Sequence, residues 1–174
     1  NILDYENNSY GSVEVGGENW LTKNISSQCF SNGDSIPMIT IDEESQWRSS
    51  AAWANYNDDI NNDAVYGKIY NWYVIRDPRN ICPPGWTIPT DNDWENFANS
   101  IGAENAGYHM KSTTGWINNG NGDNSSDFNG LPGGIRNSGP IFDGLGEVGT
   151  WWTATPQVSG YNYIEKKGRI PGAV

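Results

Sequence analysis

The chain has few of the residues that most catalysis needs. One histidine, His109, and two cysteines, Cys29 and Cys82, are all it holds among 174 residues. A Ser-His-Asp relay would have to form around His109, and no serine or cysteine sits near it in a recognisable motif. A zinc site wants a second histidine or a cysteine pair at metal-ligand spacing, and the chain has neither. Basic residues are scarce too: 10 Lys and Arg face 21 Asp and Glu, for a net charge of −11. That surface repels phosphate backbones, which argues against nucleic acid as a partner. No run of about 18 apolar residues exists to make a transmembrane span. The sequence opens at Asn1 without Met and without the charged and apolar regions of a signal peptide, so any such leader is expected to have been removed.

Aromatics are plentiful at 13%, with 9 Trp and 9 Tyr, while 21 Gly and 9 Pro imply many turns. The length suits one domain over 1–174 with an aromatic-heavy core. Cys29 and Cys82 allow a single bridge, closing a loop of roughly 50 residues. Two buried thiols, or a cysteine paired outside this chain, are the alternatives. The bias toward Asn, Gly, Trp and Tyr points to a secreted or cell-surface protein.

Along the chain, "GSVEVGGENWLTKNI" at 11–25 alternates around Gly16-Gly17 and predicts a β-hairpin. A turn at Asn32-Gly33 leads into an expected strand at 36–41, and residues 42–63 read as a long surface excursion. Tyr66, Ile69, Tyr70, Tyr73 and Val74 share one helical stripe, capped by Asn62 or Asp63 and broken by Pro78. In "CPPGWTIPTDNDWENF", Thr90 and Asp93 form an acidic capping box, and Trp94, Phe97 and Ile101 line one helix face ending at Gly102. The prolines hold the approach extended and present Trp86 against that helix. Beyond residue 103 regular structure thins into a loop region, with strands expected again at Thr150–Thr155 and Tyr161–Ile164.

"YGKIYNWY" at 66–73, "CPPGWTIPTDNDWENF" at 82–97, "DFNGLPGGIRN" at 127–137 and "WWTAT" at 151–155 together resemble the Fibrobacter succinogenes major paralogous domain family. "SVEVGGENWLTKN" is also similar to the family's usual start, a strand followed by W-x-x-x-N. The resemblance implies an α+β, C-type-lectin-like fold: two short helices flanking small antiparallel sheets, with a long irregular loop region. It also implies a secreted or surface protein, often a lipoprotein, sometimes part of a phage tail. Family members usually finish in a strand whose cysteine pairs with the one in C-P-x-G-W. Without it, Cys29 could substitute as the partner of Cys82, the sequence could be an incomplete fragment, or another chain could supply the strand at an open sheet edge.

Three constellations invite a functional reading. "NNGNGDNSSD" spaces Asn121, Asp123 and Asp127 as oxygen ligands for Ca2+, although Asn124 and Gly130 stand where an EF-hand, counted from Asn119, wants Gly and Glu. A solvated Asn/Gly turn is the plainer alternative. Trp116 in its polar loop, with Asn119 and Asp123 nearby, suits stacking on a sugar face, and packing against its own loop is an equal alternative. Of Trp151 and Trp152, one faces the core and the other solvent or ligand, and Arg136 either pairs internally or contacts the ligand. The paired acids Asp91 and Asp93 serve the helix start. The expected function is therefore non-enzymatic recognition or adhesion, binding glycan or a surface protein. A structural subunit of a surface appendage or phage tail tip is the second reading.

Overall fold

The structure, a computed structural model, describes residues 1–137 and 141–156, together with the strand backbone at 167–168. Strands β1 (Ile2–Leu3) and β2 (Ser9–Tyr10) pair antiparallel, as do β3 (Ser12–Val15) and β4 (Glu18–Leu21). The second pair is the expected hairpin. Gly16 and Gly17 both take positive φ, as its tight turn requires. A Cβ on Gly16 would lie 3.2 Å from the Asn96 carbonyl oxygen, so the turn rests directly on the helix that contains Asn96.

The next stretch departs from expectation. No strand forms at 36–41, where only Met38 bridges to Trp53; Pro37 lacks the N–H that a ladder needs. Nor is 42–63 a surface excursion. It holds α1 (Glu44–Trp47) and β5 (Trp53–Ala54), and it buries Trp47, Trp53 and Tyr56. Its anchor is distant in sequence: the buried Asn71 amide donates to Trp47 O (2.8 Å) and Ser50 O (2.6 Å), and its Oδ1 accepts from Ala52 N at 3.2 Å.

The single helix expected through residues 66–74 is three elements: α2 (Asn61–Tyr66), β6 (Ile69–Tyr70) and α3 (Trp72–Ile75). Gly67 breaks the stripe. Its φ is +75°, and a Cβ there would sit 3.0 Å from Ile25 O. The caps differ as well, since α2 starts after Ile60 with no side-chain cap and Asn71 Oδ1 takes the Val74 N–H at 3.3 Å at the start of α3. β6 pairs antiparallel with β5.

The approach to the next helix is a turn rather than an extended run. Trp86 N–H reaches Pro83 O at 2.9 Å, and Gly85 has φ +83°. Helix α4 (Asp91–Ser100) then starts as expected. Thr90 N–H donates to Asp93 Oδ2 at 2.7 Å, Thr90 Oγ1 accepts from Asp93 N–H at 3.3 Å, and Gly102 follows its end at φ +91°. Trp86 packs not on α4 but on a cluster built from Phe30, Trp53, Tyr70, Val74 and Ile81.

After α5 (Ala106–Met110) the chain is irregular as far as the hairpin of β7 (Gly133–Arg136) and β8 (Phe142–Leu145), so the later half holds more regular structure than expected. Finally β9 (Trp151–Trp152) pairs with β10 (Lys167–Gly168), and the strand expected at Tyr161–Ile164 lies outside the described residues. The architecture is thus α+β with short helices and small antiparallel sheets, and each sheet among the described residues has two strands.

Cys29 and Cys82 are not bonded to each other. Their segments run side by side, with Ser31 N–H to Asn80 O at 2.7 Å. However, it is Phe30 that joins the apolar cluster of Cys82, while Cys29, one residue earlier, is only half-buried. Burial pushes the Cys82 thiol up to about 12, which leaves it protonated and inert at neutral pH.

Candidate functional site

Three apolar clusters make the interior. One surrounds Phe30, Trp53 and Val74; a second joins Trp20, Phe97, Met110 and Phe128; a third holds Ile39, Trp47 and Ala52. Where they meet, a cleft of about 260 Å³ opens, lined by residues from all three. Its indole walls come from Trp86, Trp94, Trp151 and Trp152, each half-buried.

Those rings are fixed by their own N–H groups. Trp151 Nε1 donates to Asn24 Oδ1 at 3.2 Å, Trp152 Nε1 to Tyr70 O at 2.9 Å, and Trp94 Nε1 to Trp152 O at 3.1 Å. Trp94 also packs against Trp20 at a tilt of 42° with centroids 4.6 Å apart, and Phe128 meets Trp151 edge-on at 5.5 Å. The polar edges of these three indoles are thus turned into the protein. The expectation that one of Trp151 and Trp152 is core and the other open gives way to two half-buried rings lining one cleft.

The other expected site residues lie elsewhere. Trp116 is only 5% exposed, and its Nε1 donates to Ser112 Oγ and Gly130 O, each at 3.1 Å, while Lys111 Nζ sits 4.9 Å over the ring. It is a buried post of its loop, not a surface stacking platform. Arg136 is 3% exposed; it donates to Ile39 O and Thr40 O at 3.0 Å each and lies 4.2 Å over Trp47, with Glu44 at 3.6 Å. Burial lowers its pKa, and the nearby acids oppose that shift. Of the two roles weighed for Arg136, the structure shows the internal one.

The oxygens of the polar loop serve the loop itself. Asn121 Oδ1 accepts the Trp116 N–H at 3.0 Å, Asn124 Oδ1 accepts that of Asn129 at 2.7 Å, and Asp123 Oδ1 accepts that of Ser125 at 3.0 Å. Asn119 and Asp127 are exposed and left-handed. All nine non-glycine residues at positive φ among those described are Asn or Asp, and five of them fall within 118–129. Among the described residues no group of three or more His, Cys, Asp or Glu gathers, and the Asn121 Oδ1 weighed as a Ca2+ ligand is engaged by the Trp116 N–H.

His109 has company that its sequence neighbours did not reveal. Its Nδ1 lies 2.8 Å from Ser125 Oγ and 3.1 Å from Asp123 Oδ2. A catalytic relay needs the serine and the carboxylate on opposite ring nitrogens. Here both meet the same one, so the trio lacks the relay arrangement and ties the loop to α5. The Ser125 backbone N–H holds the Asp123 carboxyl below the usual range, with smaller help from the Ser125 hydroxyl and His109.

Sequence reasoning missed three further residues of the cleft lining: Lys23, Asn24 and Lys68. Asn24 belongs to the W-x-x-x-N motif with Trp20, and both residues line the cleft, so that spacing was the available signal. Among proteins of known families, the model described as Fibrobacter succinogenes major domain matches residues 13–169. No curated protein and no solved structure matches the chain.

Proposed function

The chain belongs to the Fibrobacter succinogenes major domain family, and from that premise we propose that it is a non-enzymatic recognition module with a C-type-lectin-like fold, working outside the cell or at its surface. Its ligand is a glycan, held in the indole cleft rather than on the loops at 112–150. The observation that carries this reading is the set of half-buried tryptophans around one opening, three of them with their N–H groups bonded inward. Fixed rings lose little freedom when a pyranose face stacks on them, which favours binding. Thr87 and Thr150 supply polar atoms to read hydroxyls at the rim.

The test is a glycan array probed with the wild-type chain and with Trp152→Ala. Signal lost in Trp152→Ala but kept in a variant of the distant, exposed Tyr5 supports the cleft. Signal kept in Trp152→Ala removes it. The two-stranded sheets favour a second reading, assembly through an open strand edge. Concentration-dependent oligomers in light scattering, with no glycan signal, would select it.

A further inference from the structure

The charge around the cleft is unlike that of the molecule. The chain has 21 acidic and 10 basic side chains, yet among the described residues no Asp or Glu lines the opening, while Lys23, Lys68 and Arg136 do. Arg136 is held by Ile39, Thr40 and Glu44 and serves the fold. The two lysines stand on one wall, because Asn24 Nδ2 bonds Tyr66 O at 2.8 Å and Lys68 N–H bonds Ile25 O at 3.3 Å, joining their segments.

Lys68 has a side chain only 2% exposed; it pairs with Asp63 and lies 4.8 Å over Trp53. An ammonium carries three N–H donors, and the Asp63 pair uses one. Lys23 is exposed at the rim, and it has no ion-pair partner among the described residues; its one close contact is the Tyr10 ring at 5.7 Å. Since Asp63 balances Lys68, the net positive charge of this wall is that of Lys23. Apolar walls concentrate such a field, and the acidic exterior around it sharpens the contrast.

Resting on the cleft reading above, the geometry points to a more specific ligand: a short saccharide with a carboxylate on its pyranose ring, of the uronic-acid type. Its ring face lies on Trp151 and Trp152, and its carboxylate is drawn to the wall of Lys23 and Lys68. Dense polyanions are disfavoured by the −11 exterior, whereas one carboxylate per ring fits a wall with one unbalanced cation. Flat indole faces favour a sugar over an acidic peptide, which would need backbone partners rather than stacking surfaces.

The experiment titrates the full chain, by tryptophan fluorescence, with trigalacturonate and with its uncharged methyl ester, which keeps the same rings. About tenfold tighter binding of the acid, shrinking at high salt and on Lys23→Glu, is the expected result. Equal affinity for acid and ester overturns the charge preference but leaves the cleft standing if Trp152→Ala abolishes both. Binding of an oligoglutamate peptide but not of trigalacturonate also overturns it. No response to either saccharide overturns it as well, while the array result above still decides the cleft itself.

Discussion

Trp116 and Trp86 show how little a residue's sequence neighbours say about its burial. Trp116 stands among Gly, Asn and Thr, where packing and ligand binding read equally well, and its partners Ser112, Gly130 and Lys111 enclose it. Trp86 sits among prolines and reads as a core residue, yet it is only half-buried. Trp116→Ala should cost about 4 kcal/mol, in the range of large buried aromatics. Trp86→Ala should cost about half that, since part of its surface never leaves water. Chemical denaturation of the two variants checks the order, and a larger loss at Trp86 would contradict this assignment. Binding lost in Trp116→Ala would report a collapsed loop and not a lost contact, so Trp152 is the better probe. Arg136 was legible only as a choice between two roles, because its carbonyl partners lie almost a hundred positions earlier.

Elements whose instructions are local were legible. The hairpin needs two positive-φ glycines and α4 needs a side-chain cap, and both signals lie within four residues of where they act. Thr90→Ala should cost about 1 kcal/mol, read as a lowered melting temperature. A second clamp on α4 came from far away and could not be foreseen: Thr155 Oγ1 accepts the Asp91 N–H at 2.9 Å. Because it binds a different donor, Thr155→Val should add its own loss to that of Thr90→Ala. The stripe through residues 66–74 misled because Tyr66, Ile69, Tyr70 and Val74 fit a helical period while Gly67 had already ended the helix. The decisive fact was the backbone of Ile25 pressing on that glycine, a contact some forty positions away.

For the whole molecule, charge sets the pH response. Arg79 bonds Asp34 and Asp77, lies 4.0 Å over Phe30, and so joins the 30s to the 70s. Its hydrogen bonds hold both carboxyls below their ordinary range. A depressed carboxylate adds stability that is complete above its unfolded pKa and fades as pH falls through the folded one. Arg79→Gln should therefore melt below wild type at pH 7, and the gap should close in acid below about pH 4. Equal gaps at pH 7 and in strong acid would show that Arg79 acts only by covering the Phe30 ring. The cleft was not legible at this scale, since three separate clusters had to be placed before a gap between them existed. The left-handed positions at 118–129 constrain how this surface can vary. Side chains other than Asn, Asp or Gly cost roughly 1–2 kcal/mol at each such site. Relatives diverging there, or libraries randomised there, can thus draw on an alphabet of about three letters at these five positions, which leaves the cleft rim as the freer ground for new specificity.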